Sequence, residues 1–358
     1  MTRDRFLRAR LPFAAAVCFL ILCTLKGIHG QETREKVTVD DVDRTFLVRL
    51  PAGYNPQQRY PVVILLHGLN QDADDMERLT RFDELADKDG VIAVYPFALH
   101  GRWNVGVQPP ERRPMSVGPG SHGHHHGGGY PGGGGGYPGG GGQQPRNRDP
   151  GEDRRPAPAD DVGFFNQMLE ALPAKFSVDT ARIYAAGLSA GGFMSLQLGC
   201  ALSDRIAAVA TVGATMPKTM ICLPSRPVSL LMINGTSDPV VPYGGGTEHN
   251  LSLPMLSAED SAKAWAKIDR CSEKPERSKV SAGTKGGMET KVDTYEGCAQ
   301  AAQVALYSVK GAGNTWPGGQ QYEPERTIGK TSSDLSADQV LWSFLVTRKL
   351  AAKSETGP

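Results

Sequence analysis

The chain has no excess of charge of either sign, because its 39 lysines and arginines are balanced by 38 acidic residues. A surface that binds nucleic acid or an anionic membrane carries a basic excess, so the composition supports neither partner. Long apolar runs are also scarce. The run from Leu11 to Leu25 is nearly all apolar but falls short of the ~20 residues that span a bilayer. We therefore expect no nucleic-acid partner and no stable membrane span in the mature protein.

The N-terminus predicts export. Four arginines between Arg3 and Arg10 precede the apolar run, and Gly30 supplies a small residue before a polar stretch begins. A basic head, a short apolar segment and a small-residue exit are typical of a secretory signal peptide. The interpretation is a signal peptide at 1–30 and a mature protein of 31–358, secreted or periplasmic. An uncleaved anchor is the alternative.

Cysteine is sparse, with six in 358 residues, and two of these lie in the predicted signal peptide. An even number of cysteines in an exported protein is typical of disulfides. Three pairings are open, of which the two nearest-neighbour pairs are favoured, and four buried free thiols are the alternative. The remaining cysteines are Cys200, Cys222, Cys271 and Cys298.

Short apolar runs ending in glycine or proline alternate with amphipathic stretches along the chain. Continuous apolar runs of this kind predict strands buried on both faces, and apolar residues at 3–4 spacing predict helices. The combination predicts a single α/β domain with a mostly parallel central sheet and helices on both faces. The predicted strands are 61–68, 90–96, 182–187, 206–213, 228–235 and 304–309, and the predicted helices are 160–172, 257–268 and 336–350.

One segment, 115–159, departs from this pattern. It consists of glycine, proline, histidine and charged residues, and twelve of the sixteen residues from Gly127 to Gly142 are glycine. Such a composition buries too little apolar surface to offset the entropy of ordering. We predict a disordered insertion within one domain. Its histidine tract, His122 to His126, lacks a rigid frame, so we predict no metal site and no cofactor.

The motif Gly187-Leu188-Ser189-Ala190-Gly191 lies between a predicted buried strand and a predicted helix. A nucleophilic serine on a sharp strand-to-helix turn needs glycine on both sides, because no side chain fits there. The following helix N-terminus favours developing negative charge. This context indicates that Ser189 is a nucleophile. A structural glycine-rich turn is the alternative.

An oxyanion hole and an acid complete the predicted catalytic machinery. An oxyanion hole needs one N–H from the residue after the nucleophile and one from the loop after an earlier strand, which indicates Ala190 and Leu69. His67 then shapes that earlier turn. Asp238 follows the predicted strand at 228–235, where the acid of a triad is expected, and a turn aspartate before proline is its alternative.

These stretches, with "RWN" at 102–104, "DDVGFF" at 160–165 and "GNTWPGG" at 313–319, resemble secreted polyhydroxybutyrate depolymerase-type and feruloyl or acetyl-xylan esterases. The resemblance covers most of 35–350 and implies the α/β-hydrolase fold and an acyl-enzyme mechanism. It implies an ester of a polyester, a hydroxycinnamate or an acetylated polysaccharide as substrate. It also implies that Trp103 and Trp316 line the substrate pocket and that the disulfides are Cys200–Cys222 and Cys271–Cys298.

The resemblance places a histidine directly before "TWPG", where this chain has Asn314. An amide cannot accept a proton at neutral pH, so the base of the triad is missing. Either another histidine, His249 or His100, replaces it (the tract at 122–126 is a further source), or the protein binds an ester or glycan without turnover, or it hydrolyses slowly. A surface scaffold acting through the insertion is a different alternative. The sequence predicts no oligomeric state.

Overall fold

Ten strands form one sheet in the computed structural model, which describes residues 30–105, 158–248, 253–280 and 287–351. Nearly all of the predicted signal peptide and of the predicted insertion, and His249, lie outside the described residues. The ten strands of this sheet are β1 (Glu32–Val39), β2 (Val42–Arg49), β3 (Tyr60–Leu66), β4 (Ile92–Pro96), β5 (Val178–Leu188), β6 (Ala208–Val212), β7 (Ser229–Gly235), β10 (Glu276–Val280), β11 (Thr290–Tyr295) and β12 (Val304–Val309). Two short strands, β8 (Gly246–Glu248) and β9 (Leu253–Met255), form a separate antiparallel pair.

The centre of the sheet is parallel and its edges are antiparallel. Across the sheet the order is β1-β2-β4-β3-β5-β6-β7-β12-β11-β10, and the six strands from β4 to β12 in this order pair in parallel. All six correspond to the apolar runs of the sequence, and β3, β4, β6 and β7 are buried at every residue. The prediction of a mostly parallel central sheet is confirmed.

Helices cover both faces of this sheet. The predicted helices are confirmed, and each begins with a side-chain cap, from Asp160, Ser257 and Ser336 respectively. No helix in the described part of the chain is long and apolar enough to cross a bilayer. The helices are α1 (Ala73–Thr80), α2 (Phe82–Asp89), α3 (Asp161–Lys175), α4 (Ala190–Ala201), α5 (Ala258–Ile268), α6 (Glu325–Ile328) and α7 (Ala337–Leu345), with 3-10 turns at Leu99–Gly101 and Ala299–Ala301.

Two apolar layers flank the sheet. Helices α3, α4 and α5 pack on one face, with Phe164, Met194 and Trp265 among the buried residues. Helices α1, α2 and α7 pack on the other, with Phe82 and Leu341. Crossover helices on both sides of a parallel sheet, with a serine at the sharp turn between β5 and α4, define an α/β-hydrolase fold. The predicted fold class is confirmed.

Both disulfides of the resemblance are present. Cys200 at the end of α4 is bonded to Cys222, and Cys271 after α5 is bonded to Cys298. Each bond joins neighbouring cysteines in the chain. The nearest-neighbour pairing is therefore confirmed, and the alternative of four free thiols is wrong.

A buried ion pair holds together the two ends of the segment at 106–157. Arg44 of β2 donates to the Asp161 carboxylate, 2.5 Å away, and both side chains are almost fully buried. The second oxygen of Asp161 accepts from the Asn104 backbone N–H, and the Asn104 amide donates to Ala159 O. The chain therefore leaves the described structure and returns to it at one place, as an insertion within a single domain would.

We expect Arg44→Leu to lower the free energy of unfolding by about 3–5 kcal/mol, because it leaves the Asp161 carboxylate buried without its cation. Urea unfolding measures the change. Lys36→Met is the matched control, because the Lys36–Asp43 pair is more than half exposed and should contribute less than ~1 kcal/mol. Equal effects of the two substitutions would show that the buried pair does not anchor this corner.

Candidate active site

The backbone at Ser189 is strained. Ser189 lies between β5 and α4 with φ 53° and ψ −115°, outside the ordinary regions for a residue with a Cβ. A Cβ on Gly187 would lie 2.3 Å from the Gly191 carbonyl carbon, and one on Gly191 would lie 2.1 Å from Leu66 O. Both contacts are with backbone that cannot move aside. The two glycines of the motif are therefore required by the close packing of β3, β5 and α4.

We expect Gly191→Ala to lower the free energy of unfolding by roughly 2 kcal/mol or more, because the added methyl overpacks this backbone contact. Thermal or urea unfolding measures the loss. The control is Gly244→Ala, where a Cβ meets nothing within 4 Å. If Gly191→Ala is as stable as this control, the elbow is looser than the structure indicates.

The loop after β3 presents a free backbone donor beside the elbow. The neighbouring N–H groups are bonded, Gly68 N–H to Gln71 Oε1 and Asn70 N–H to Gly101 O. The Leu69 N–H donates to no acceptor among the residues that the structure describes. Because a Cβ on Gly191 would touch Leu66 O and His67 O, this loop and the first turn of α4 lie against each other. The arrangement suits Leu69 and Ala190 to bind an oxyanion together.

His67 is fixed in one tautomer inside this turn. Its Nε2 accepts from the Ala98 N–H, 3.1 Å away, so its Nδ1 carries the proton and donates to Gly68 O. Burial lowers the pKa of His67, which keeps the ring neutral. Both ring nitrogens are used to hold the loop. This agrees with the prediction that His67 shapes the turn.

Trp103 packs against the same loop. Its indole N–H donates to His67 O at 2.9 Å, and its ring lies 4.9 Å from the His67 ring and 5.6 Å from the Phe165 ring. Only 6% of its surface is exposed. In the described structure Trp103 therefore supports the loop of Leu69, and a role in the substrate pocket stays a prediction.

Asp238 and Asn314 are in direct contact. Asp238 follows β7, and its Oδ1 accepts from the N–H groups of Val240 and Val241, both at 2.8 Å. Its Oδ2 accepts from the Asn314 Nδ2 at 2.8 Å. The same Nδ2 donates to Gly213 O at 3.0 Å. Because both partners of Nδ2 are acceptors, the nitrogen and not the oxygen of the amide must face them.

Asn314 offers Asp238 the same kind of donor that a histidine at this position would offer. The Nδ2 of asparagine and the Nδ1 of histidine are each bonded to Cγ, so each can donate to a carboxylate from the same position. Asn314 has no counterpart of the outer ring nitrogen, which is the atom that would take a proton from a serine. Its amide oxygen bonds to none of the described residues. The arrangement keeps the contact that orients the group and lacks the base.

Gly213 links this pair to Ser189. The Ser189 N–H donates to Val212 O at 2.8 Å, and the next residue, Gly213, has φ +61° and accepts from Asn314. A Cβ there would lie 2.7 Å from Asn314 Nδ2. This role of Gly213 was not predicted from the sequence. A glycine at the end of the next parallel strand was the available signal.

The loop at 311–319 is held rigidly around Asn314. The Asn314 backbone N–H donates to Ile328 O at 2.6 Å, and the Asn314 carbonyl accepts from the Tyr322 hydroxyl at 2.8 Å. Trp316 donates from Nε1 to Asp338 and has no exposed surface. It belongs to the apolar layer of α1, α2 and α7. In the described structure Trp316 therefore anchors the loop, and its role in the substrate pocket stays a prediction.

Among the described residues, no cation contributes to the pKa shift of Asp238. Burial raises the pKa of Asp238 to about 6, against the opposing effect of hydrogen bonds from Asn314, Val241 and Val240, while Glu248 raises it further. An imidazolium at position 314 would stabilise the ionised carboxylate, and a neutral amide does so only weakly. The structure therefore holds a carboxyl group that ionises at an unusually high pH.

A raised carboxyl pKa means that the folded state binds the proton more tightly than the unfolded state. Stability from Asp238 is thus present below pH ~4 and is lost as the pH rises to ~6. Asp238→Asn resembles the protonated form. We expect its free energy of unfolding minus that of wild type to increase by roughly 2–3 kcal/mol as the pH rises from 4 to 7. Urea unfolding at several pH values measures the difference. A constant difference across this range would contradict the raised pKa.

Of the two histidines that could replace the base, His100 lies within the described residues and His249 does not. His100 is exposed on the 3-10 turn, and it has no hydrogen bond, ion pair or ring contact with a described residue. Its turn adjoins the Leu69 loop, since Asn70 N–H donates to Gly101 O. His249 and the tract at 122–126 lie outside the described residues. Within those residues no cluster of three potential ligands could hold a metal ion.

A small apolar cluster adjoins the site. Phe193 lies one turn beyond Ser189 and donates its N–H to Ser189 O. It packs with Ala214, which follows Gly213, and with Val240 and Val241, which follow Asp238. The half-buried Val105 packs on the same cluster. These residues give the site an apolar side that the motifs alone did not reveal.

Comparisons with known proteins agree with this geometry. A family model described as putative esterase matches residues 40–102. Feruloyl esterase B of Piromyces equi is 27% identical over 278 residues, which are 76% of this chain and 42% of that protein. Putative esterase NocK of Nocardia uniformis is 25% identical over 297 residues, 80% of this chain and 74% of that protein. A bifunctional acetylxylan esterase/xylanase of Neocallimastix patriciarum is 22% identical over 206 residues, 56% of this chain and 22% of that protein.

The chain is a relative of the feruloyl and acetyl-xylan esterases. It spans less than half the length of feruloyl esterase B but about three quarters of NocK. Among solved structures, an acetyl xylan esterase from Aspergillus awamori has a TM-score of 0.48 at 13% identity, covering 79% of this chain and 94% of that one. The comparisons support the predicted likeness to feruloyl and acetyl-xylan esterases, whereas the likeness to polyhydroxybutyrate depolymerases and the equivalence of Asn314 to a histidine stay predictions.

Proposed function

We propose that the protein is an exported carboxylic ester hydrolase whose turnover is slow because Asn314 stands where a general base is needed. The observation that carries the proposal is the pair of bonds from Asn314 Nδ2 to Asp238 and Gly213. They reproduce the orienting half of a serine triad without its proton acceptor. The relatives named as esterases and the strained elbow at Ser189 support the class of reaction.

In the proposed reaction, Ser189 Oγ attacks the ester carbonyl. The carbonyl oxygen becomes an oxyanion that accepts from the Leu69 and Ala190 N–H groups, and its collapse releases the alcohol and leaves an acyl-serine. Water then attacks the acyl-serine and releases the acid. The proton of Ser189 must pass to the leaving alcohol in the first half and return from water in the second.

Asn314 cannot carry that proton. Without a base, a serine site keeps only the ~10³–10⁴-fold advantage over water that the oxyanion hole and binding provide. Water or the alcohol itself must then accept the Ser189 proton. We infer slow acylation and equally slow release of the acyl group, on esters such as those of a hydroxycinnamate, an acetylated polysaccharide or a polyester.

Ester binding without turnover is the second candidate function, and the fixed position of Asn314 favours it. The amide is buried, and the Asn314 backbone is bonded at both N–H and carbonyl. A site of this kind can hold an ester with its carbonyl in the oxyanion hole. Prolonged labelling of Ser189 by a fluorophosphonate separates the two, because a slow serine hydrolase still accumulates the Ser189 adduct and a site that only binds esters does not.

We expect Asn314→His to raise kcat/KM for p-nitrophenyl acetate or butyrate by at least ~10²-fold, since a positioned acid–base group contributes this much. The imidazole Nδ1–H can keep the bond to Asp238 while Nε2 supplies the base. The gain should appear as the pH rises through the pKa of the new histidine. Steady-state kinetics across pH 5–9 measure it.

Asn314→His combined with Ser189→Ala is the control, and it should show none of the gain. Wild-type turnover at ordinary esterase rates that is abolished by His100→Ala or His249→Ala would mean that the base lies elsewhere. A folded Asn314→His variant with no gain would rule out slow hydrolysis by a triad lacking only its base. The binding function would then be the better account.

A further inference from the structure

Arg348, which follows α7, is a half-buried cation without an acidic neighbour. In the described part of the chain six arginines are buried or half-buried. Five of them lie beside a carboxylate, since Arg44, Arg49, Arg182 and Arg205 form ion pairs and Arg226 is within electrostatic range of Asp269 and Asp204. Arg348 forms no ion pair with a described residue. A half-buried cation without a counterion is costly, which makes Arg348 the exception among these arginines.

The partners that Arg348 does have are neutral. Its Nη2 donates to Gln303 Oε1 at 2.6 Å, and its guanidinium carbon lies 4.9 Å from the centre of the Phe344 ring. Its Nε is buried and donates to none of the described residues. Burial lowers the pKa of Arg348, against the smaller opposing effect of Tyr184. An amide and an aromatic ring stabilise a cation less than a carboxylate does, so the guanidinium can still bind an anion.

A groove of about 460 Å³ lies at Arg348, between α7 and β12. Half-buried Tyr307, Val340 and Phe344 give it an apolar side. The Tyr307 hydroxyl bonds to none of the described residues, and burial raises the pKa of Tyr307, so the phenol keeps its proton and can donate. Among the described residues that line the groove, Arg348 alone is charged. The groove therefore combines one cation, one free hydroxyl donor and an apolar side.

This combination selects the chemistry of a ligand. A carboxylate can accept two parallel bonds from one guanidinium, and its single charge matches a single cation. A phosphate dianion or a polyanion would leave charge without a partner in this groove. A neutral ligand would leave Arg348 without a counterion, and a small inorganic anion would not cover the apolar side. The best match is a monocarboxylate whose body is flat and apolar.

The groove lies at the opposite edge of the sheet from the candidate active site. Gln303 directly precedes β12, and the Leu350 N–H donates to Ala181 O in the first half of β5. Ser189 and Asn314 follow the other ends of these two strands. A ligand at Arg348 is therefore separate from a substrate at Ser189.

We propose that this groove binds a small organic monocarboxylate, with the carboxylate at Arg348 and the apolar body against Phe344 and Val340. The ligand supplies the anion that Arg348 lacks, so its binding also stabilises the folded protein. Neither effect depends on the ester chemistry proposed above.

The test titrates the full-length protein with 4-fluorobenzoate and follows the ¹⁹F NMR line width of the probe. We expect saturable binding with a Kd on the order of 1 mM, as is usual for so small a ligand. Binding should be weaker by several-fold in 0.5 M NaCl than in low salt, because it depends on charge. The neutral 4-fluorobenzamide, acetate and inorganic phosphate should each bind at least ~10-fold more weakly, since each lacks either the single carboxylate or the apolar body.

Arg348→Gln should weaken binding of 4-fluorobenzoate by roughly 10-fold or more, because it removes the cation. Arg348→Lys should lie between this variant and wild type, since an ammonium keeps the charge but not the planar pair of donors. Arg59→Gln is the matched control, because Arg59 is exposed, has no ion pair with a described residue and gives the same change of net charge. Ser189→Ala should bind like wild type. Circular dichroism melting confirms that each variant is folded.

Four results would overturn the proposal. Equal binding by Arg348→Gln and wild type would place the probe elsewhere. Equal binding of 4-fluorobenzamide and 4-fluorobenzoate would exclude recognition of a carboxylate, and equal binding of acetate or phosphate would exclude recognition of the apolar body. Binding that appears only in Glu355→Gln would assign Arg348 to a carboxylate of its own chain, because Glu355 lies outside the described residues.

Discussion

The close contact of backbone with backbone around Ser189 determines the rest of the candidate site. Because Gly187 and Gly191 have no Cβ, α4 can start directly against the end of β3. That contact sets the Leu69 N–H beside the first turn of α4 and turns Phe193 towards the apolar cluster. The strained conformation of Ser189 persists because buried strands on both sides leave it no alternative.

The parallel sheet then brings the remaining groups to the same edge. Val212, Asp238 and Asn314 lie at or beyond the carboxyl ends of β6, β7 and β12, the three strands that follow β5 in the order of the sheet. Residues far apart in the chain are therefore joined by hydrogen bonds, such as the one from Asn314 to Asp238. Function in this fold resides in loops at that edge, while the strands supply only their position.

Much of this could be predicted from the sequence. Strands buried on both faces can be recognised by their continuous apolar runs. The six parallel strands, and the order of Ser189, Asp238 and Asn314 along the chain, could therefore be predicted. The edge strand β10 is fully exposed and carries no apolar run, and it was missed. The burial of Trp316 and the role of Gly213 depend on which loops contact each other in the fold. A local sequence pattern does not predict such contacts.

If Asn314 stands in for the base of a triad, as proposed, the replacement also changes the charge of the site, which would be a separate obstacle to hydrolysis. In a complete triad the carboxylate is compensated when the histidine takes up the proton. Asn314 would gain no charge during the proposed reaction, and burial raises the pKa of Asp238 to about 6, so its ionised form is costly in this environment. A developing oxyanion at Ser189 would then form beside an uncompensated negative charge. Replacing the amide by an imidazole acts on both obstacles at once, because the same ring accepts the serine proton and becomes the cation that Asp238 lacks.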